Sequence, residues 1–131
     1  MEKVVGIGGV FLRSKDQQAL ASWYGEHLGL DINDVFWGAI FPLSTPDAPK
    51  GSYGIWGTFP GDTDYFGSKE NSFMVNFRVR DLDAMRDQLR AGGCDVDDKI
   101  ERNAYGQFGW VTDPEGNRVE LWQPPDEMPE G

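Results

Sequence analysis

Arg13-Ser14-Lys15-Asp16-Gln17-Gln18-Ala19-Leu20 has an echo 65 residues downstream in Arg78-Val79-Arg80-Asp81-Leu82-Asp83-Ala84-Met85. In each stretch an Arg closes an apolar, β-rich run. Three residues on, an Asp stands where a helix needs a side-chain oxygen to receive the free amides of its first turn. Arg13 matches Arg78, Asp16 matches Asp81, Ala19 matches Ala84, and Leu20 meets Met85. Three identities are few, and the shared order of elements says more. A shift of 65 in 131 residues leaves room for two modules and nothing else.

Working outward, Val4 to Leu12 reads as a strand thinned by glycines, and Ser14 or Asp16 caps a helix over Gln17 to Leu28. Leu20, Trp23, Tyr24 and Leu28 recur in it at helical spacing, and Gly29 stops it. Phe36 to Leu43 and Ser52 to Phe59 are further strands, with a Pro- and Gly-bearing loop at 44–51. Residues 60–71 are polar and form the one plausible linker. In the second half Ser72 to Val79 is a strand. Asp81 caps a helix over Leu82 to Ala91, and Gly92-Gly93 ends it. Val96 to Glu101, Tyr105 to Thr112 and Arg118 to Trp122 complete the strands. Asp113-Pro114-Glu115-Gly116-Asn117 is a hairpin turn, because Pro presets its backbone and Gly or Asn accepts positive φ. The reading is an α+β fold of two tandem βαβββ modules curled as a half-open barrel round a cleft. It forms a single domain over 1–131, with modules at 4–59 and 72–123, the linker at 60–71 and a frayed tail at 124–131.

Composition sets limits. With 39% hydrophobic residues, eight Phe, five Trp and four Tyr, the chain can bury a core. A net charge of −10 repels nucleic-acid backbones and anionic membranes, so neither is expected as partner. The lone Cys94 rules out an internal disulfide and fits a reduced, cytoplasmic setting. A single His27 cannot build an HExxH helix or a two-His metal site within one chain. At a helix C-terminus it is better read as a partner of the helix dipole than as an acid or base.

Strand alternation sorts the side chains. Val10, Leu12, Val75, Phe77, Val79, Val119 and Leu121 should face the helices. Gly9, Phe11, Arg13, Met74, Asn76, Arg78, Arg118, Glu120 and Trp122 should face the cleft. Phe11, Trp56 and Trp122 could stack on a planar ligand, and Arg78 could grip a carboxylate or carbonyl oxygen. Tyr105 and Gln107 are further ligand-binding candidates. Glu120 has two readings. It is a general base or an anchor for a cationic group, or it is a remnant paired with Arg78 or Arg13.

Gly6-Ile7-Gly8-Gly9-Val10-Phe11-Leu12-Arg13-Ser14-Lys15-Asp16, with Leu20 and Trp23 to Leu30 behind it, resembles the opening of the glyoxalase/bleomycin-resistance/extradiol-dioxygenase (vicinal oxygen chelate) superfamily. Phe77 to Asp83 and Thr112 to Trp122 resemble its middle and closing segments. The resemblance runs over roughly 4–124 and implies a divalent metal held by the first and last strands of both modules. Carried over one position at a time, those ligands fall on Gly9, Met74, a residue near Gly54, and Glu120. Only Glu120 offers a suitable donor, so no cofactor is expected, and Glu120 is the sole surviving metal candidate.

Three functional readings follow. The first is a protein that binds a small aromatic, or apolar and carbonyl-bearing, molecule in its cleft. The second is a glyoxalase-type lyase or isomerase, or a dioxygenase-like enzyme, with Glu120 as catalytic base or metal ligand. The third is an interaction module whose cleft is filled by its own side chains. The resemblance also implies a homodimer.

Overall fold

The computed structural model describes residues 1–42 and 52–126. The loop expected at 44–51, and the tail beyond residue 126, lie outside the described residues.

Both helices begin and end where their capping residues place them. Strand β1 (Val4–Ser14) leads into α1 (Gln17–Leu28), and β4 (Phe73–Val79) leads into α2 (Leu82–Ala91). Asp16 Oδ1 accepts from the Ala19 amide and Asp81 Oδ1 from the Ala84 amide, each at 3.0 Å. The repeated Asp and Ala are thus one capping device used twice. Gly29 closes α1 in the left-handed region, at φ 74°.

The remaining strands are β2 (Ala39–Pro42), β3 (Tyr53–Pro60), β5 (Asp95–Val96), β6 (Glu101–Asn103), β7 (Gly106–Thr112) and β8 (Arg118–Gln123). One sheet runs through both halves in the order β2-β3-β1-β4-β8-β7-β5, with β6 also on β7. In each half the strand before the helix pairs in parallel with the half's last strand: β1 with β3, and β4 with β8. The strands β1 and β4 join the halves in antiparallel fashion. Val10 and Val75 are partners across that seam. They are also 65 residues apart, which puts the local two-fold between them. In the first half, a single bridge between Asn33 and Gly38 stands where the second half has β5 and β6. The strand expected over Val96 to Glu101 is split into β5 and β6, both on β7.

Two clusters hold the second half. Val79, Leu82, Met85 and Leu121 form the helix-side core, with Phe77 and Val119 packed against it, as alternation requires. On the opposite face Phe66, Met74 and Trp110 are fully buried, backed by Phe11, Phe59, Tyr65 and Phe108. Helix α1 is attached differently from expectation. Of its residues only Ala21 is buried, and Tyr24 packs on Trp56 with ring centroids 4.2 Å apart. Trp23 and Leu28, expected in its apolar stripe, are exposed.

Candidate functional site

The concave face of the sheet keeps a cavity of about 560 Å³. Its wall is largely apolar and rich in aromatics: Phe11, Phe36, Tyr53, Phe59, Phe108 and Trp122 all contribute. Phe108 lies parallel to Trp122, with centroids 6.0 Å apart, and Phe11 meets Phe59 edge-on at 5.6 Å. The indole of Trp122 is tied to the Tyr105 carbonyl by Nε1 at 2.8 Å, which fixes the ring that floors the cavity.

Among the described residues one carboxylate reaches this space. Glu120 is 3% exposed, yet three donors converge on its carboxylate. Asn76 Nδ2 donates to Oε1 at 2.6 Å, while Trp110 Nε1 at 3.0 Å and the Tyr65 hydroxyl at 2.5 Å both donate to Oε2. Burial pushes the Glu120 carboxyl above the usual range, and the three donors oppose that shift. The Tyr65 phenol is raised by its own burial and by the neighbouring carboxylate. Behind the carboxylate, the guanidinium of Arg118 and the ammonium of Lys99 lie 5.2 and 5.6 Å from the Trp110 ring centre. Arg118 is itself held by Asp97 at 3.0 Å.

Tyr65 comes from the segment expected to serve as a linker, and like Trp110 of β7 it is a site residue that the sequence did not disclose. Arg13 builds the loop that carries it. Its guanidinium donates to the carbonyls of Thr63 (2.6 Å), Asn71 (2.9 Å) and Gly61 (3.0 Å) and lies 5.4 Å from the Phe66 ring centre. Asn71 Nδ2 adds bonds to the carbonyls of Phe66 and Gly116. Phe66 plugs one end of the concave face, and Tyr65 reaches Glu120. The available signal was the pair of aromatics inside an otherwise polar stretch.

The expected residues divide. Phe11, Asn76, Tyr105, Glu120 and Trp122 line the cavity. Trp56 does not: it packs on Tyr24 of α1, because Tyr53, Ile55, Gly57 and Phe59 take the concave side of β3. Gln107 accepts from Arg102 Nε at 3.0 Å and is not part of the wall. Arg78 is buried but lies against Gly6, outside the cavity wall. Glu120 is paired with neither Arg78 nor Arg13, since its three partners are the uncharged donors named above. On β1 a bulge between Ile7 and Gly9 breaks the alternation, so Gly8 joins Phe11 on the cavity wall, whereas Gly9 backs onto the Ile55 carbonyl.

The structure also corrects which first-half position corresponds to Glu120. The pair Val10–Trp56 corresponds to Val75–Val119, so the counterpart of Glu120 is Gly57 and not a residue near Gly54. A divalent metal does not fit these residues. Gly8, Gly9 and Gly57 carry no donor, the Met74 sulfur is fully buried beside Phe66 and Trp110, and the Glu120 oxygens are engaged. Among the described residues no three His, Cys, Asp or Glu side chains cluster to hold a metal.

Paired βαβ-based modules on one curved sheet, enclosing a cavity on the concave face, define a class of protein built by duplication. The chain belongs to the Glyoxalase/Bleomycin resistance protein/Dioxygenase superfamily, whose family model matches residues 6–121. Among solved structures it resembles methylmalonyl-CoA epimerase from Streptomyces coelicolor in complex with 2-nitronate-propionyl-CoA, at 18% identity and a TM-score of 0.68, covering 93% of this chain and 99% of that one. It also resembles methylmalonyl-CoA epimerase from Mycobacterium tuberculosis, at 22% identity and a TM-score of 0.58, covering 93% and 89%. A superfamily member from Vibrio splendidus aligns at 15% identity and a TM-score of 0.56, covering 94% and 99%. These likenesses establish the fold. No curated protein matches the chain in sequence.

Proposed function

We propose that this protein binds a small, largely aromatic molecule in its concave cavity through non-covalent contacts, without a resident metal. The observation that carries this reading is the cavity itself. About 560 Å³ lies within the range of small-molecule sites, and the wall is aromatic with few polar groups. The same volume weighs against the cleft being filled entirely by the protein's own side chains, although Phe66 and Met74 do fill one end.

Catalysis with Glu120 as base has less support. Three donors already share its lone pairs, and among the described residues no Arg, Lys or His lines the cavity to stabilise a developing oxyanion. The proposal includes action as one domain and as a homodimer in the cytoplasm, with no nucleic acid or membrane as partner. The exposed Trp23, Leu28, Ile40 and Phe41 support a contact between copies, and the exposed free thiol of Cys94 supports a reducing compartment. Among the described residues no helix is long and apolar enough to cross a membrane.

The test is uptake of a neutral fluorescent probe, 1-aminoanthracene, followed by its emission. Wild-type protein should bind it saturably. Ile55→Trp, which fills the cavity from β3, should abolish uptake while retaining a cooperative melt. Absence of uptake, or uptake unchanged in Ile55→Trp, would overturn the proposal.

A further inference from the structure

Most side-chain donors in the cavity wall are already committed within the protein. Thr58 Oγ1 donates to the Trp37 carbonyl at 2.8 Å. Gln17 Nε2 donates to the Thr58 carbonyl at 2.9 Å and to the Thr58 hydroxyl at 3.1 Å. Trp122 Nε1 is taken by the Tyr105 carbonyl, and Asn76 Nδ2 by Glu120 Oε1. Among the described residues of the wall, two phenols are left, those of Tyr53 and Tyr105.

The two flank Trp122 from opposite halves of the chain. The Tyr53 ring, on β3, has its centroid 6.0 Å from that of Trp122, and the Tyr105 carbonyl holds the Trp122 indole. Both backbones are fixed. Tyr53 pairs with Pro42 of β2, and the Tyr105 N–H donates to Asn103 Oδ1 at 2.8 Å. The hydroxyls themselves are not sealed off, since Tyr53 is half-buried and Tyr105 is 51% exposed. The phenols lie close enough to interact electrostatically, yet they are not hydrogen-bonded to each other. That spacing suits a single acceptor placed between them. Burial, and then the neighbouring Tyr105, push the Tyr53 phenol above its ordinary range, so it keeps its hydrogen at neutral pH. A phenol oxygen shares a lone pair with its ring, which makes it a better donor than acceptor.

We propose that the ligand's aromatic body fills the cavity while a carbonyl-type oxygen sits between the Tyr53 and Tyr105 hydroxyls and accepts a hydrogen bond from each. The inference rests on the cavity-binding reading above. A carbonyl oxygen has two lone pairs and answers both donors at once. A hydrocarbon of the same shape gains the apolar contacts of the wall and nothing from the phenols. Each half of the duplicated chain thus supplies one donor to the same oxygen.

Displacement of 1-aminoanthracene by 1-indanone, and by indane, its oxygen-free counterpart, tests this in wild type, Tyr53→Phe and Tyr105→Phe. Dye affinity is measured first in each protein and used to convert displacement into affinity. 1-Indanone should displace the dye from wild type, and each substitution should weaken it by about 5-fold, the worth of one neutral hydrogen bond. Indane should respond to neither substitution. Dye uptake without displacement by 1-indanone, or equal losses for 1-indanone and indane, would overturn the inference and leave the cavity reading standing. A loss in one variant alone would overturn the paired arrangement. Absence of dye uptake by wild type would overturn the cavity reading itself, and this inference with it.

Discussion

Removing the Tyr65 hydroxyl tests the claim that the loop between the halves completes the shell of a buried carboxylate. In Tyr65→Phe the ring keeps its stacking on Phe59 (centroids 5.0 Å apart) and its edge contact with Trp110 (5.7 Å), so packing is preserved. What is lost is one donor at 2.5 Å from Glu120 Oε2. Hydrogen bonds to charged groups contribute about 1.5–3 kcal/mol. Trp110 and Asn76 still serve the carboxylate, so the lower end applies, about 1.5–2 kcal/mol at pH 8. Since one pKa unit is 1.36 kcal/mol, the Glu120 carboxyl should rise by about one further unit. The sign with pH follows. The hydroxyl helps the ionised form most, so the penalty is largest above the folded-state pKa of Glu120 and shrinks as pH falls through it. Urea unfolding of wild type and Tyr65→Phe, followed by tryptophan emission at pH 8 and pH 5, measures this. The m-value should not change. A loss under about 0.5 kcal/mol at pH 8, or a loss larger at pH 5 than at pH 8, would refute the reasoning.

Other outcomes follow from the same geometry. Burial raises the Glu120 carboxyl in the folded state, so its protonated form contributes stability fully below about 4.5, the unfolded value, and that contribution fades as pH rises through the folded value. Glu120→Gln has no such titration. Thermal melts from pH 4 to 8 should show the variant gaining on wild type, and parallel curves would contradict this. Arg13→Ala removes four guanidinium bonds to loop carbonyls and should cost about 2 kcal/mol, with faster amide exchange confined to residues 61–71. Unchanged exchange there would remove Arg13 as the organiser of the loop. Asp16→Ala and Asp81→Ala delete equivalent caps, and each should cost about 1 kcal/mol in chemical denaturation. A clear inequality between them would show that the repeat is not energetically equivalent.

Legibility of the fold and of the site differed for physical reasons. The helix limits were readable because a cap acts within four residues: Asp16 and Asp81 begin their helices by bonding Ala19 and Ala84. Helix-side positions such as Val79 and Leu121 were readable because strand alternation is strict wherever the strand is regular. Trp56 was misplaced because residue type does not reveal which face of β3 an aromatic takes. The register joins Trp56 to Val10, opposite α1. On β1 the bulge after Ile7 exchanged the roles of Gly8 and Gly9, and nothing in a run of small residues announces a bulge. Arg78 was sorted to the correct strand face, but its side chain follows β1 across Gly6 and leaves the cavity.

The amino-acid order alone determined the duplication, the capped helices, the hairpin at 113–117, and the loss of metal donors at all but one expected position. These depend on residue type and on spacing within a few residues. The tertiary structure decided that Tyr65, Asn76 and Trp110 meet at Glu120. Those groups come from a loop and three strands, and 55 residues separate Tyr65 from its partner. Hydrogen bonds of that kind exist only after the sheet has curved and Arg13 has gathered its loop, so no local pattern in the chain encodes them.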